Sequence, residues 1–512
     1  MAKIEAETAS DTLVDGGVDP AAGKERPHLL RLGAEITTKS RRTRGFFQRR
    51  LVRNLEDALD SAGVEATVES DWSRIWVRSS APGVLTPLTR VWGIGSITPV
   101  DAVVDADLDA IVAEGHRLYA DRVRGRTYGV RARRHGRHSF SSRDVEVRLG
   151  AALNPGATVD LDDPEVRVEV DIRADEAFLF TDRVPGAGGL PLGVEGRGLA
   201  LLSGGYDSAV AAALLLRRGV ELDYVFYNLG GDAYERSVLQ VAKVLSDEWS
   251  FGSRPRLFVL DFTGIVDRIR ALVKPSHVQL VLKRLMYRAA SRVARNVHAQ
   301  ALVTGEVLGQ VSSQTLRNLR ALEAAADLPV FRPLIGFDKE EIIARARTLG
   351  TASLSARVKE YCAIGEGRPV TAASSASVDR EEGRLDPAEL EGAVSGARIH
   401  ELRSLRAGDL REPFIYTDEV GEGAVILDCR SREDYERLHA PGAEHRELWD
   451  LLQGFKALDR ERTYVLYCQE GTRTGLIAER MQRAGYEAYS FRGGFRGIQM
   501  HLADALASDN AP

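Results

Sequence analysis

The sequence contains little cysteine: Cys362, Cys429 and Cys468 are the only three among 512 residues. So few cysteines exclude a disulfide-stapled scaffold and are typical of a reducing compartment, where a thiol more often performs chemistry than cross-linking. Long apolar runs are also absent, since no stretch approaches the roughly 20 residues that a membrane span needs. The first residues are polar and acidic, unlike an export signal. These absences predict a cytoplasmic protein with no membrane partner.

The length and the charge distribution point to a modular chain. A chain of 512 residues exceeds one ordinary core and predicts three or four domains. The net charge of -5 is unevenly spread, because two arginine-rich stretches lie in the N-terminal third. Such stretches suit a nucleic-acid backbone, although charge alone is equally compatible with a solvated basic face. Their members are Lys39, Arg41, Arg42, Arg44, Arg49, Arg50 and Arg53, then Arg122, Arg124, Arg126, Arg131, Arg133, Arg134 and Arg137.

Hydrophobic periodicity predicts two small α/β modules in this region. A strand over 28–36, a helix over 41–62 and strands over 65–70 and 75–77 form the first, and alternating elements follow as far as residue 181. Arg90-Val-Trp-Gly-Ile-Gly-Ser-Ile and Val130-Arg-Ala-Arg-Arg-His-Gly-Arg resemble the RNA-binding THUMP domain, which follows a ferredoxin-like domain. The resemblance implies RNA binding, for which we select Lys39, Arg41, Arg131, Arg133, Arg134 and Arg137.

A phosphate-binding turn is predicted near residue 203. Leu199 to Leu202 form a short apolar strand, Ser203-Gly204-Gly205 a turn, and an Ala/Leu-rich helix follows from 208 to 218. Glycines let backbone amides approach an anion, and the helix N-terminus adds its positive end. The run Ser203-Gly-Gly-Tyr-Asp-Ser resembles the PP-loop of ATP pyrophosphatases. Asp207 there would suit a Mg²⁺ ion that bridges the phosphates of ATP.

Further parallel strands over 224–229, 256–261 and 301–304, separated by helices, predict a doubly wound sheet. The run Thr304-Gly-Glu-Val-Leu-Gly-Gln-Val-Ser-Ser-Gln-Thr-Leu-Arg-Asn-Leu, with Arg332-Pro-Leu-Ile and Asp338-Lys-Glu, resembles the tRNA 4-thiouridine synthetases, which also serve thiamine biosynthesis. The resemblance implies that Asp207 and Lys339 act in adenylation, whereas Glu306 could simply order its loop. It implies ATP contacts at Leu201, Leu202, Ser203, Gly204, Gly205, Asp207, Ser208, Lys283, Gly305 and Gln314.

The C-terminal hundred residues contain a second reactive motif. Asp428-Cys-Arg-Ser-Arg-Glu-Asp-Tyr and His439-Ala-Pro-Gly-Ala resemble a rhodanese domain, whose active loop would run from Cys468 to Arg473. Amides that curl around the Cys468 sulfur would favour a thiolate that carries a persulfide. The Tyr-Cys pair ending at Cys362 resembles the catalytic loop cysteine of the synthetases, which implies a disulfide between Cys362 and Cys468. Cys429 follows a core strand and is interpreted as a packing residue.

The predicted fold is therefore α/β and multidomain, with ferredoxin-like and THUMP modules, a doubly wound parallel-sheet PP-loop domain and a rhodanese-like domain. The expected bounds are a disordered tail at 1–26, the ferredoxin-like domain at 27–78, THUMP at 79–183, the PP-loop adenylation domain at 184–363, a linker at 364–405, and the rhodanese domain at 406–512.

The expected activity is ATP-dependent transfer of persulfide sulfur to C4 of a tRNA uridine, at position 8 by family resemblance. A cysteine desulfurase would supply the sulfur, and a cellular reductant would reset the disulfide. One alternative is an RNA-tethered carrier that passes sulfur to the thiamine sulfur-carrier protein, and a second is a PP-loop amidotransferase or ligase. The sequence leaves open whether both pathways are served, whether the persulfide attacks C4 directly or first yields sulfide that does, and whether the protein forms a homodimer.

Overall fold

The structure, a computed structural model, describes residues 26–71, 74–229, 231–358, 368–406, 410, 415–421, 423–469 and 473–508. The expected N-terminal tail up to residue 25 and Cys362 lie outside the described residues. The chain divides into two compact units. The first unit ends at Gly186. The second unit runs from Ala187 onward and also includes residues 38–57 and 90–93. Among the described helices, none combines the length and apolar character that crossing a membrane requires.

The first unit contains two five-stranded sheets. Helix α2 spans the boundary, since its residues up to Asp57 belong to the second unit. In chain order the elements are β1 (Arg26–Leu32), α1 (Ala34–Thr37), α2 (Arg41–Ser61), β2 (Thr67–Ser70), β3 (Arg74–Ser79), α3 (Leu85–Thr89), β4 (Ile94–Pro99), β5 (Ala102–Asp105), α4 (Leu108–Val123), β6 (Thr127–His135), α5 (Ser142–Leu153), β7 (Thr158–Val159), β8 (Val166–Arg173), β9 (Glu176–Phe180) and β10 (Val184–Pro185).

The N-terminal sheet is antiparallel, with strand order β10-β4-β1-β3-β2. The first strand is shorter than predicted, because it ends at Leu32 and a helical turn begins at Ala34. Ile36, which the alternating pattern assigned to the strand, is fully buried from that turn instead. A short apolar alternation therefore does not distinguish a strand end from one buried helical turn.

The second sheet of this unit has the order β5-β9-β8-β6-β7 and is mixed, with β6 parallel to both β7 and β8. Helix α5 begins at a capping box in which Ser141 and Asp144 satisfy each other's backbone amides. Along β6 the inward side chains end with Val130, and Arg131 and Arg133 are exposed. Because successive side chains of a strand alternate between the two faces of the sheet, Arg131 and Arg133 lie on the same face, and both are exposed.

The second unit begins with the predicted doubly wound domain. Its sheet has the order β15-β14-β11-β12-β13-β16, and all pairs are parallel except the last. Apolar clusters cover both faces, as expected for a buried parallel sheet. The elements are β11 (Arg197–Leu201), α6 (Tyr206–Leu216), β12 (Glu221–Asn228), α7 (Gly231–Trp249), β13 (Arg256–Asp261), α8 (Thr263–Leu272), α9 (Val278–Asn296), β14 (Leu302–Val303), α10 (Leu316–Glu323), β15 (Val330–Phe331), α11 (Lys339–Leu349) and α12 (Ala352–Ser355).

The segment predicted as a linker at 364–405 differs from that interpretation wherever it is described. It contains α13 (Ser375–Glu382), α14 (Pro387–Ser395) and β16 (Arg398–Glu401), and β16 adds an antiparallel strand to β13. Val378 and Leu390 join the domain core. The Ser-, Ala- and Glu-rich composition is typical of a linker, so it did not predict these elements. A few spaced apolar residues and acid–arginine pairs attach the segment to the rest of the domain.

The C-terminal domain is a parallel five-stranded sheet of order β17-β21-β20-β18-β19, with helices packed on it. Alternate residues of its central strands enter two apolar clusters, one on each face. Its elements are β17 (Tyr416–Thr417), β18 (Val425–Asp428), α15 (Arg432–Arg437), β19 (Glu444–His445), α16 (Leu448–Gly454), β20 (Thr463–Tyr467), α17 (Arg473–Arg483), β21 (Glu487–Phe491) and α18 (Gly494–Ser508).

Candidate functional site

A cavity of about 210 Å³ opens at the carboxyl edge of the doubly wound sheet. Ligands bind at this edge in open α/β sheets, because the strand ends and helix N-termini converge there. Eight of the ten predicted ATP-contacting residues line the cavity, and Gly204 and Gly205 belong to the turn beside it. The eight are Leu201, Leu202, Ser203, Asp207, Ser208, Lys283, Gly305 and Gln314.

The glycine turn leads directly into helix α6. Gly204 has a φ of +82°, which a residue with a side chain rarely adopts. Gly205 is the N-cap of α6 and provides no side-chain cap. The Ser208 hydroxyl instead accepts from the Ser203 amide at 3.2 Å and donates to the Gly205 carbonyl at 3.1 Å. This arrangement holds the turn closed over a helix N-terminus, the geometry that favours a bound phosphate.

Gly305 brings a second loop against the same helix start. A Cβ atom at this position would lie 2.6 Å from both the backbone carbon of Asp207 and the backbone nitrogen of Ser208. Only glycine permits so close an approach. The loop after β14 is therefore packed against the first turn of α6.

The structure brings Asp207 and Lys339 together, although 132 residues separate them. Lys339 Nζ donates to Asp207 Oδ1 at 2.7 Å, and Gln310 Nε2 donates to Asp207 Oδ2 at 3.0 Å. The Asp207 side chain is 10% exposed and that of Lys339 47%, so the cation can reach solvent or a ligand. Sequence reasoning missed Gln310, although it lies within the long motif that begins at Thr304.

Glu306 is the buried centre of a polar network at the other end of the cavity. Tyr287 Oη donates to it at 2.5 Å, Arg332 Nε at 2.9 Å and Lys283 Nζ at 3.3 Å. Burial by itself would raise the pKa of Glu306, but the charges of Lys283 and Arg332 and the bond from Tyr287 bring it below its usual value of 4.5. Glu306 is thus a carboxylate that orients Lys283. The sequence did not predict that Tyr287 donates a hydrogen bond to it.

The described residues contain no group of three or more acidic, histidine or cysteine side chains that could hold a metal ion. Asp207 is the carboxylate that lines the glycine end of the cavity. Mg²⁺ in nucleotide sites is commonly bound through one or two carboxylates together with the phosphates and water. The residues present fit that mode of binding.

In the C-terminal domain, Cys468 follows β20 and is 6% exposed. Thr474 Oγ1 lies 3.8 Å from its Sγ and 2.8 Å from Ser490 Oγ. Residues 470–472 of the predicted active loop lie outside the described residues, and α17 begins at Arg473. Among the described residues Cys468 forms no disulfide, and because Cys362 is not described, the disulfide between the two stays a prediction.

Asp428 is the fully buried centre of a polar cluster in this domain. The expectation that it pairs with a nearby arginine is confirmed, because Arg430 Nη2 donates to Asp428 Oδ2 at 2.6 Å. The Arg430 guanidinium also lies 3.6 Å from the ring centroid of Phe495, and Tyr467 Oη donates to Asp428 at 2.6 Å. Cys429, between the two charged residues, is 4% exposed and packs in the core, as interpreted.

The predicted RNA-binding residues fall in both units. Arg131, Arg133 and Arg137 of the first unit are exposed and Arg134 is half-buried, whereas Lys39 and Arg41 are exposed in the second. Sequence reasoning missed a cavity of about 230 Å³ in the first unit, where Arg131 and Arg133 meet Arg31, Arg167 and Arg183. Burial, followed by repulsion from Arg183, lowers the pKa of Arg31 to about 10. Glu146, Glu169 and Asp171 line the same cavity and Arg183 pairs with Glu169 at 3.0 Å, so three carboxylates partly balance its five guanidinium groups.

Comparison with known proteins covers all four domains. The chain matches the family descriptions "ThiI ferredoxin-like domain" over residues 28–98, "THUMP domain" over 105–182, "Thiamine biosynthesis protein (ThiI)" over 193–386 and "Rhodanese-like domain" over 416–501. These matches confirm the predicted fold class.

Similar proteins match about nine-tenths of the chain. A tRNA sulfurtransferase of Pyrobaculum aerophilum is 38% identical over 468 residues, covering 91% of this chain and 96% of that protein. A tRNA sulfurtransferase of Sodalis glossinidius is 37% identical over 473 residues, covering 90% and 98%. A crystal structure of a 4-thiouridine synthetase–RNA complex with bound ATP has a TM-score of 0.67 and 28% identity, covering 74% of this chain and 99% of that one.

Proposed function

The chain belongs to the tRNA sulfurtransferase family, and from this premise we propose that it uses ATP to convert a tRNA uridine to 4-thiouridine. The uridine at position 8 is the expected target. The observation that carries the proposal is the cavity in which the glycine turn, Asp207 and Gly305 surround the start of α6. The relative crystallised with RNA and bound ATP supports the same ligands here.

In the first step, O4 of the uridine attacks the α-phosphorus of ATP, and pyrophosphate leaves. The amides of the Ser203–Ser208 turn bind the phosphates, and Lys339 stabilises the negative charge that develops on their oxygens. Asp207 holds Lys339 in position through the 2.7 Å ion pair. The predicted contacts of Leu201, Leu202, Lys283, Gly305 and Gln314 with ATP belong to this proposal, because all five line the cavity.

When bound, Mg²⁺ would neutralise phosphate charge, with Asp207 as a protein ligand. Lys339 Nζ already occupies Oδ1 of Asp207, whereas Gln310 donates to Oδ2. Gln310 is a neutral donor at the end of a flexible side chain, so Oδ2 is the oxygen that it can release most readily. Asp207 is the residue that would hold the ion.

In the second step, sulfur carried as a persulfide on Cys468 attacks C4 of the adenylated uridine, and AMP leaves. The Cys362 thiolate then attacks Sγ of Cys468, the bond from Sγ to the transferred sulfur breaks, and that sulfur stays on C4 as 4-thiouridine. The resulting Cys362–Cys468 disulfide is reopened by a cellular reductant. Within the second unit, helix α17, which follows the Cys468 loop, packs on α7, and Leu476 lies beside Gly231. Because α7 begins at the cavity edge of the sheet, this packing supports sulfur delivery toward the nucleotide cavity.

The first unit is proposed to bind the tRNA, and a cysteine desulfurase to load Cys468. The exposed residues Arg131, Arg133 and Arg137, with Lys39 and Arg41 on the second unit, would pair with phosphate oxygens. The match to a THUMP domain and the RNA complex of the relative support this role.

Nucleoside mass spectrometry tests the proposal. Unmodified tRNA is incubated with ATP, cysteine, a cysteine desulfurase and the protein, in parallel with Asp207→Ala and Cys468→Ala variants. The proposal predicts 4-thiouridine with the unsubstituted protein and none with either variant. Glu340→Gln, which changes a charge beside Lys339 on the exposed face of α11, is the matched control and should retain activity. If Asp207→Ala retains full activity, adenylation at this cavity is excluded.

A second role is favoured by the match to the family described as a thiamine biosynthesis protein. We propose that persulfide on Cys468 can also be passed to the thiamine sulfur-carrier protein. This transfer would need Cys468 but would survive Asp207→Ala, because no uridine is adenylated. Thiamine-dependent growth of a strain that carries each variant separates the two roles.

A further inference from the structure

Two cysteines lie side by side in the rhodanese-like domain. Strands β18 and β20 are parallel neighbours with Asp428 opposite Tyr467, and the Cys429 amide donates to the Tyr467 carbonyl at 2.8 Å. The residue that follows each paired position is a cysteine. Cys429 and Cys468 are therefore adjacent across the sheet, although the paired positions Asp428 and Tyr467 are 39 apart in residue number.

The two thiols also face the same side of the sheet. Both belong to the apolar cluster that contains Leu427 and Leu466, whereas Tyr467 belongs to the cluster on the opposite face. Neighbouring strands lie about 4.8 Å apart. Disulfides form across Cα separations of about 4.4 to 6.8 Å. A bond between Cys429 and Cys468 is therefore within reach while the strands stay paired.

We propose that Cys429 is a resolving thiol for persulfidated Cys468. The inference rests on the proposed function, which supplies the persulfide. The Cys429 sulfur attacks Sγ of Cys468, the bond from Sγ to the terminal sulfur breaks, and a Cys429–Cys468 disulfide forms. The terminal sulfur leaves as hydrosulfide with the bond's electron pair, and the Cys429 proton is released. The leaving sulfur is reduced and the Cys429 sulfur is oxidised, while Sγ of Cys468 keeps one sulfur–sulfur bond throughout. A dithiol reductant later reopens the disulfide.

The surroundings of Cys429 make its attack on Cys468 slow. Burial first, then the negative charges of Cys468 and Asp428, raise the pKa of the Cys429 thiol well above its usual value. Because the thiolate is the attacking species, resolution is slow near neutral pH. Transfer to an activated uridine therefore precedes it, and Cys429 discharges persulfides that have found no acceptor.

The test follows the fate of a labelled persulfide without tRNA or ATP. Full-length Cys362→Ala protein is loaded by a cysteine desulfurase with ³⁴S-cysteine, separated from the desulfurase, and alkylated at intervals for peptide mass spectrometry. We expect loss of the label as hydrosulfide to accompany a peptide pair linked through Cys429 and Cys468. In Cys362→Ala/Cys429→Val protein the persulfide should persist on the order of tenfold longer, since the intramolecular thiol is gone.

Two substitutions separate the chemistry from packing. Valine retains most of the side-chain volume at position 429 and alanine does not, so both variants are compared, and tRNA thiolation by each Cys429 variant with Cys362 present reports whether the domain is folded. Equal persulfide lifetimes with and without Cys429 in folded protein, or release of label without the linked peptides, would overturn the inference alone. Absence of label from Cys468 in every chain would overturn the proposed function and this inference together.

Discussion

Replacing Glu306 with glutamine tests the buried network at one end of the nucleotide cavity. The Glu306 side chain is 7% exposed and faces Lys283 and Arg332, so the neutral variant leaves two cations without their shared carboxylate. Breaking a buried ion pair costs about 3 kcal/mol or more. Glu323 provides a matched control, because it binds the same Arg332 from a 48% exposed position. Its replacement by glutamine should cost at most about 1 kcal/mol.

Urea unfolding, monitored by tryptophan fluorescence, measures the difference. With an m-value of about 3 kcal/mol per molar urea, the Glu306→Gln midpoint should fall by about 1 M, and that of Glu323→Gln by less than about a third of this. Similar losses in the two variants would refute the reasoning, because they would show that burial of Glu306 adds nothing beyond a surface pair.

The pH dependence gives a second readout for the same pair of variants. The pKa of Glu306 is lower in the folded protein than its usual 4.5. Its contribution to the free energy of unfolding is therefore complete above pH 4.5 and is lost as the pH falls through the folded-state pKa. The stability gap between the unsubstituted protein and Glu306→Gln should narrow below pH 4.5 and stay constant above it.

Three further outcomes are expected. Lys339→Met should lower the rate of 4-thiouridine formation by about 10²- to 10³-fold, with a smaller change in ATP affinity, and Lys339→Arg should restore part of the rate. Equal losses in rate and in ATP affinity would contradict a role of Lys339 in the transition state. Gly305→Ala should lower the melting temperature and weaken ATP binding, because the added Cβ would lie 2.6 Å from the α6 backbone. Gly336→Ala should do neither, because no atom lies within 4 Å of the Cβ that it adds. Arg133→Glu should weaken tRNA binding and reduce the slope of log affinity against log salt by about 1, measured by fluorescence anisotropy, while the exposed Arg117→Glu on α4 should leave both unchanged.

Local patterns predicted the glycine turn at Ser203 and the strand and helix that flank the Cys468 loop. The strand, glycine turn and helix around Ser203 are local in sequence, and the Cys468 loop likewise follows a short apolar strand. Around Ser203 a few contiguous residues determine the backbone, and near Cys468 they determine strand β20 and the start of α17, so the pattern was sufficient for these elements.

Contacts between distant segments could not be predicted in this way. The bond from Gln310 to Asp207 and the packing of Tyr287 on Glu306 depend on which helix lies over which strand end. The adjacency of Cys429 and Cys468 depends on strand order and register, which period-two alternation does not encode. The prediction of a linker was wrong over 368–406 for another reason. The segment has few apolar residues, and their role in the core is evident only once the surface that buries them is known.

The central claim is that sulfur on Cys468 reaches a uridine activated by ATP, and a single-turnover transfer tests it most directly. Protein loaded with ³⁵S at Cys468 is freed of desulfurase and cysteine, then mixed with unmodified tRNA, with or without ATP. The account predicts that the label leaves Cys468 and appears in tRNA as 4-thiouridine only when ATP is present. Label that enters tRNA equally without ATP, or that stays on Cys468 when ATP and tRNA are both supplied, would contradict it.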